Sequence, residues 1–119
     1  MEIAVLIPAY QPDSVLISLV QALHRENFRL IVTDDGSGPA YADIFSALLP
    51  YAEVLTCPEN RGKGNALKCA LRHLAEKPQG CRAFITADAD GQHTVADILR
   101  VREALLSGSR FVLTTRSEE

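Results

Sequence analysis

The sequence has 119 residues, 47% of them hydrophobic, and a formal net charge of −3. This length suits one domain spanning residues 1–119, and the hydrophobic share excludes a disordered chain. Positive and negative residues are interspersed without a basic face, so we expect no nucleic acid as a partner. No apolar run approaches the roughly 18 residues of a membrane span. The three cysteines, Cys57, Cys69 and Cys81, show no metal-binding spacing and predict free thiols in a reducing compartment.

The first half of the chain alternates between strand and helix patterns. Residues 3–7 form a continuous apolar run, which predicts a buried strand ended by Pro8. Helix-start signals at residues 12–14 precede positions spaced for one helical face, namely Leu16, Leu19, Val20 and Leu23. A second strand is predicted at residues 30–32, and a turn cluster at residues 34–39 stops it. The next helical face consists of Tyr41, Ile44, Phe45 and Leu48, and Pro50 ends that helix.

The second half continues the alternation. A short strand is predicted at residues 53–57, followed by a glycine-rich loop at residues 60–65. The helix behind that loop has its apolar face at Leu67, Ala70, Leu71 and Leu74. A fourth strand is predicted at residues 82–87, and a capping-box pattern at residues 94–97 opens another helix. Its buried face is predicted to be Val95, Ile98, Val101 and Leu105, before a stop at 107–109 and a fifth strand at 111–113.

This order predicts an α/β fold, in which a mostly parallel sheet lies between two layers of helices. Ligands of such sheets bind beyond the carboxyl ends of the strands. Polar clusters follow the first, second and fourth predicted strands, and the glycine-rich loop follows the third. The topology therefore gathers these clusters at one edge, although they are far apart in sequence.

Asp88, Asp90 and Gln92 lie two residues apart after the fourth predicted strand. Two carboxylates and an amide oxygen suit a hard cation, so the cluster predicts a site for Mg²⁺ or Mn²⁺. A carboxylate about 4 Å from a phosphate charge is repelled by about 4 kcal/mol at an effective dielectric near 20, and a bridging cation reverses that sign. The other interpretation is a strand-end turn followed by a capped helix.

Each of the other clusters also has two interpretations. Asp34 and Asp35 either accept hydrogen bonds from a nucleobase or ribose, or form an Asx turn with a helix cap. The glycine-rich loop either brings an anion to a helix N-terminus, with Arg61 or Lys63 adding positive charge, or is a simple flexible connection. Tyr10 either stacks on a base or is a half-buried anchor.

Taken together, four ordered segments resemble glycosyltransferase family 2. They are residues 7–10 (Ile-Pro-Ala-Tyr), 34–37 (Asp-Asp-Gly-Ser), 60–68 (Asn-Arg-Gly-Lys-Gly-Asn-Ala-Leu-Lys) and 86–93 (Thr-Ala-Asp-Ala-Asp-Gly-Gln-His). The last two look most like dolichol-phosphate-mannose-synthase-type and bacterial polyprenyl-phosphate glycosyltransferases. The family usually has Tyr-Asn-Glu where this chain has Tyr10-Gln11-Pro12.

The resemblance implies a Rossmann-like fold of the GT-A type, incomplete at the C-terminus, that binds a UDP- or GDP-sugar. It implies nucleotide contacts at Pro8, Ala9, Tyr10, Asp34, Asp35 and Lys63. It also implies a metal on Asp88, Asp90 and Gln92, with Asp88 and Asp90 as the catalytic residues.

The implied reaction is transfer of the sugar to an acceptor, either a polyprenyl or dolichyl phosphate or a glycan. The resemblance places the acceptor site and any catalytic base beyond residue 119, so this stretch alone is not expected to be sufficient for transfer. We expect the full-length protein in the cytoplasm, at the cytoplasmic face of a membrane. Two alternatives stay open. The first is a phosphatase, because the strand-DxDG pattern also resembles the nucleophile loop of haloacid-dehalogenase-type phosphatases. The second is a non-catalytic module that binds a nucleotide-sugar.

Overall fold

The structure, a computed structural model, describes residues 2–77, 81–89 and 95–107. In these ranges four strands alternate with four α-helices: β1 (Glu2–Ala9), α1 (Val15–Arg25), β2 (Arg29–Asp35), α2 (Ala42–Leu48), β3 (Glu53–Cys57), α3 (Lys63–Glu76), β4 (Cys81–Thr86) and α4 (Val95–Leu106). A short 3-10 turn (Pro39–Tyr41) precedes α2. The predicted α/β class is confirmed, whereas the fifth strand predicted at 111–113 lies outside the described residues.

The described strands form one parallel sheet in the order β3-β2-β1-β4. The chain therefore moves from β1 through β2 to β3 on one side, then crosses back to place β4 on the other side of β1. Strand order reverses at β1 and β4, and a crevice opens beyond the carboxyl ends of the strands at such a point.

Helices cover both faces of the sheet. The larger core lies between the sheet and α1, α2 and α4, and the smaller core lies under α3. Residues 3–7 are all at most 3% exposed, which explains why β1 has a continuous apolar run instead of an alternating one. Of the face predicted for α3, Ala70 is buried but Leu71 is exposed, and Ala66 is buried instead. These small alanines let α3 lie close against β1 and β2.

Pro8 lies inside β1, so the prediction that it ends the strand is wrong. The Leu6 carbonyl accepts a hydrogen bond from the Ala87 N–H on the β4 side, and pairing with β4 stops at Leu6. Residues two apart on a strand point their backbone groups the same way, so Pro8 faces this unpaired edge. Its missing N–H costs no ladder hydrogen bond there, and pairing with β2 continues through Ala9.

A charged cluster joins β2, β3 and α3 at the amino ends of the strands. Arg29 is 7% exposed, and its Nε and Nη2 donate to Glu53 Oε2 and Oε1 at 2.7 and 2.9 Å. His73 Nε2 lies 2.8 Å from Glu53 Oε1. The hydrogen bonds from Arg29, ahead of those from His73, hold the pKa of Glu53 below its usual value, against the opposing effect of burial. This cluster lies at the opposite edge from the predicted site and stabilises the fold.

Arg102 fixes α4 against the turn between α1 and β2. Its Nη1 donates to the Glu26 carbonyl at 2.8 Å, and its guanidinium lies 4.9 Å from the centre of the Phe28 ring. Such a stacked cation packs its apolar stem and pairs its charge at once. Among the residues that the structure describes, none of the helices has the length and apolar content needed to cross a membrane.

Candidate functional site

A cleft of about 510 Å³ lies beyond the carboxyl ends of the strands, where β1 and β4 diverge. Its walls are the segment after β1, the end of β2, the segment before α3 and the segment after β4. The lining residues are 8–13, Asp35, Asn60, Gly62, Lys63, Asp88 and Ala89. Of the predicted site residues, Pro8, Ala9, Tyr10, Asp35, Lys63 and Asp88 thus meet in one cleft.

Of the other three predicted site residues, one is described but does not line the cleft, and the structure does not describe the other two. Asp34 is 9% exposed at the end of β2 and is not among the lining residues. Asp90 and Gln92 lie outside the described residues, so their placement in a metal site stays a prediction. Within the described ranges, no three His, Cys, Asp or Glu side chains come together as a metal-binding group.

Asp35 holds together the wall formed by the β3–α3 loop (residues 58–62). Its side chain is buried, with the residue 3% exposed. Oδ1 accepts the Arg61 N–H at 3.0 Å, and Oδ2 accepts the Gly62 N–H at 2.9 Å. Asn60 Nδ2 donates both to Oδ2 at 3.2 Å and to the Asp35 carbonyl at 3.1 Å. A buried carboxylate satisfied by backbone amides is a strong structural tie, so Asp35 shapes the cleft as well as lining it.

Gly36 lets the two loops approach each other this closely. Its φ is +71°, and a Cβ at this position would lie 2.3 Å from the Asn60 nitrogen and 2.5 Å from the Glu59 carbonyl carbon. Both atoms belong to backbone and cannot swing aside, so only glycine fits. The Asp-Asp-Gly segment therefore positions the β3–α3 loop, a role that the sequence did not reveal.

The Asp34 side chain accepts a hydrogen bond from the backbone of the turn that follows β2. Its Oδ1 accepts the Ser37 N–H at 2.9 Å. The Ser37 Oγ in turn accepts the Gln11 N–H at 2.8 Å, which joins this turn to the segment after β1. Sequence patterns do not reveal this contact between Gln11 and Ser37, because nothing in a single sequence pairs residues 26 positions apart.

Lys63 and Asp88 face each other across the cleft. Lys63 Nζ lies 2.6 Å from Asp88 Oδ1, and their side chains are 39% and 16% exposed. Lys63 is the first residue of α3, so residues 63–65 belong to a helix instead of the loop predicted there. The positive φ of Gly62, +98°, turns the chain into that helix three residues earlier than expected.

Asp88 is the described member of the predicted metal site, and its contact with Lys63 shows that it already pairs with a positive charge. The Asp88 carboxylate lies in the cleft and already holds a positively charged group through Oδ1. A half-buried carboxylate oxygen in a polar cleft is a donor of the kind that Mg²⁺ and Mn²⁺ take. Of the three predicted metal ligands the structure describes Asp88 alone, so a divalent ion at this place stays a prediction.

Two cysteines lie behind the same wall. The Sγ atoms of Cys57, at the end of β3, and Cys69, in α3, are 3.7 Å apart. Burial, followed by the neighbouring Cys69 thiol and the carboxylates of Asp35 and Asp34, raises the pKa of Cys57. The thiol is therefore the favoured form, in keeping with the predicted free thiol at Cys57.

The fold and its cleft define an α/β protein with a ligand site at the switch point of a parallel sheet. The family model described as Glycosyl transferase family 2 matches residues 4–118. The chain therefore belongs to glycosyl transferase family 2, a family of enzymes, and its fold is of the Rossmann-like GT-A type.

Two curated relatives are similar to this chain. An uncharacterised protein of Methanocaldococcus jannaschii is 35% identical over 112 residues, covering 88% of this chain and 42% of the relative. A UDP-N-acetylglucosamine–dolichyl-phosphate N-acetylglucosaminyltransferase of Methanococcus voltae is 28% identical over 131 residues, covering 96% of this chain and 51% of the relative. The chain thus spans about half the length of these relatives. No solved structure matches it significantly.

Proposed function

We propose that the cleft binds a nucleotide-diphospho-sugar, and that this chain is the donor-binding part of a glycosyltransferase acting on a polyprenyl or dolichyl phosphate. The observation that supports this proposal is that the end of β2 and the segments after β1, β3 and β4 meet in one cleft of a family 2 domain. Its volume of about 510 Å³ falls in the range of small-molecule sites.

The two ends of the cleft suit the two ends of such a donor. Tyr10 is 52% exposed on the wall after β1 and presents a ring on which a nucleobase can stack. Lys63, at the N-terminus of α3, supplies a positive charge where the helix dipole also favours an anion. We therefore place the nucleoside near Tyr10 and the diphosphate beside the Lys63–Asp88 pair.

Asp88, Asp90 and Gln92 are the residues that would hold Mg²⁺ or Mn²⁺ in this proposal. A divalent ion there supplies charge stabilisation for the departing nucleoside diphosphate. The chain's own residues bind and orient the donor. Lys63, whose Nζ lies 2.6 Å from Asp88 Oδ1, would add its positive charge beside the diphosphate.

The acceptor is proposed from chemistry and from one relative's name. That relative is a dolichyl-phosphate glycosyltransferase. A lipid phosphate is already ionised near neutral pH, so it needs less help from a general base than a sugar hydroxyl does. A lipid acceptor would place the full-length protein at the cytoplasmic face of a membrane.

Calorimetric titration of UDP-sugars and GDP-sugars tests donor binding. We expect saturable binding by the folded protein that strengthens when Mn²⁺ is added. The Asp88→Asn and Asp90→Ala variants should lose this metal effect, whereas the control Asp43→Asn, on the exposed surface of α2, should keep it. Folded protein that binds neither nucleotide-sugar, with or without metal, contradicts the proposal.

The remaining alternatives have separate tests. A phosphatase of the haloacid-dehalogenase type would form an acyl phosphate on Asp88 after incubation with a phosphoryl donor. A glycosyltransferase forms no such adduct, so we expect none. A non-catalytic binding module would bind the donor without turnover. Transfer to a polyprenyl phosphate by the full-length protein would therefore exclude it.

A further inference from the structure

Gln11 lines the cleft in a backbone conformation that residues with a side chain rarely adopt. Its φ is +49°, in the left-handed region. Pro12 follows, and a residue before proline has fewer allowed conformations still. Such a conformation persists only where surrounding contacts enforce it. Identifying what holds Gln11 therefore identifies what shapes this wall of the cleft.

A buried hydroxyl from the segment that follows β2, the neighbouring strand, enforces this turn. The Gln11 N–H donates to Ser37 Oγ at 2.8 Å, and Ser37 is only 6% exposed. Ser37 is itself oriented, because its own N–H donates to Asp34 Oδ1 at 2.9 Å. The two segments leave adjacent strands, since Ala9 pairs with Asp34 in the sheet. The hydroxyl thus bridges the segments that follow β1 and β2.

We propose that Ser37 is a positioning residue of the donor site. Its hydroxyl holds the Tyr10–Gln11 turn against the end of β2, and this turn presents Tyr10 and Gln11 to the nucleotide. The inference rests on the proposed function and deepens it, because it names a residue outside the predicted contact set that governs donor affinity.

The effect of Ser37 on nucleotide binding can be measured separately from its effect on the stability of the fold. Tyr10 and Gln11 are both exposed, so releasing their turn uncovers little apolar surface. The Ser37 N–H bond to Asp34 involves the backbone and survives replacement of the side chain. Removing the hydroxyl should therefore change thermal stability little, while a nucleotide must pay to reorder the released turn.

The experiment compares Ser37→Ala and Ser37→Thr with the unaltered protein. Ser46→Ala, the same chemical change on the exposed surface of α2, is the matched control. Amide hydrogen exchange of Gln11, followed by NMR, reports the hydrogen bond without any nucleotide. Calorimetric titration with UDP and GDP reports the consequence for binding.

We expect Gln11 amide exchange to accelerate by about tenfold in Ser37→Ala, and nucleotide affinity to fall by about tenfold, the equivalent of about 1.4 kcal/mol. Ser37→Thr retains a hydroxyl and should keep both properties near those of the unaltered protein. Ser46→Ala should change neither.

A second comparison, made in the Gln11→Gly variant, separates loss of positioning from a general loss of structure. Glycine adopts a positive φ without strain. In Gln11→Gly, the additional Ser37→Ala change should therefore cost less than about threefold in affinity, because the turn no longer needs enforcement. An undiminished tenfold effect in that background would overturn the positioning role.

Other outcomes separate this inference from the proposed function. Rapid Gln11 exchange in the unaltered protein overturns the hydrogen bond on which the inference depends, whatever the nucleotide does. Lost protection in Ser37→Ala with unchanged nucleotide affinity overturns positioning but leaves the donor site intact. Protected Gln11 in a protein that binds no nucleotide overturns the proposed function and the positioning role with it.

Discussion

Asp35→Asn should destabilise the β3–α3 loop, because the buried carboxylate accepts hydrogen bonds from Arg61 N–H, Gly62 N–H and Asn60 Nδ2. An asparagine amide can satisfy only one side of this arrangement. Its NH₂ group would face either Arg61 N–H or the pair formed by Gly62 and Asn60, leaving at least one buried donor unsatisfied. A charge-assisted bond is worth about 1.5–3 kcal/mol and an unsatisfied buried donor costs about 1–3 kcal/mol. We therefore expect a loss of about 3 kcal/mol.

The adjacent aspartate supplies the matched control. Asp34 Oδ1 accepts the Ser37 N–H, and an asparagine carbonyl oxygen accepts the same hydrogen bond. Asp34→Asn should therefore cost less than about 1 kcal/mol. For a domain of this size, about 3 kcal/mol corresponds to a Tm lowered by roughly 12 °C, against at most about 4 °C for the control.

Thermal unfolding and limited trypsin digestion measure the two effects. Trypsin cuts after Arg61, whose side chain is 65% exposed but whose backbone N–H is held by Asp35. Asp35→Asn should speed cleavage of the Arg61–Gly62 bond and weaken nucleotide binding, and Asp34→Asn should do neither. Equal Tm shifts in the two variants, or an Asp35→Asn protein as stable and protease-resistant as the unaltered one, would refute this reasoning.

Two further predictions concern the sheet. Because the pKa of Glu53 is lowered, its bond to Arg29 stabilises the fold above the usual carboxyl pKa of 4.5, and this stabilisation is lost as the pH falls through the folded pKa. Urea unfolding should therefore show a shallower loss of stability below pH 4.5 in Glu53→Gln than in the unaltered protein. Equal slopes in the two proteins would contradict this prediction. Thr33 is 1% exposed, and its hydroxyl has no hydrogen-bond partner among the described residues. Thr33→Val should therefore raise stability by about 1 kcal/mol, or Tm by about 4 °C, and a lower Tm would show that the hydroxyl is satisfied.

The fold was largely readable from hydrophobic spacing. The apolar run at residues 3–7 and the helical spacing of Leu16, Leu19, Val20 and Leu23 specify β1 and α1, and all these residues are buried. Local signals failed where a distant neighbour decides the outcome. Pro8 continues β1 because β4 stops pairing at Leu6, and no pattern around residue 8 encodes where β4 stops.

The site was predictable as a set of segments but not as a set of contacts. Sheet topology alone brings Tyr10, Asp35, Lys63 and Asp88 to one edge, as expected. The pairing of Lys63 with Asp88 joins residues 25 positions apart, and periodicity carries no information about it. Periodicity also carries no information about the hydrogen bonds between Asp35 and the β3–α3 loop. Asp35 was predicted only as a nucleotide contact, but these bonds show that it also shapes the cleft.

Arg29 and Glu53 show the same limit away from the site. Each begins a strand, and a charged residue at a strand end ordinarily lies in solvent. Here the two strands are neighbours and His73 from α3 covers them, so Arg29 is buried with its charge paired. Only the strand order β3-β2-β1-β4 brings these side chains together.

The central claim is that the nucleotide-diphospho-sugar occupies the cleft beyond β1 and β4. An NMR titration of the protein with UDP-sugars and GDP-sugars tests it most directly, because each backbone amide reports its own surroundings. We expect chemical-shift changes concentrated at residues 9–11, Asp35, 60–63 and 88–89, with the amides near Arg29 and Glu53 unaffected. Binding that shifts the amides of the opposite edge and leaves the cleft unchanged would contradict it.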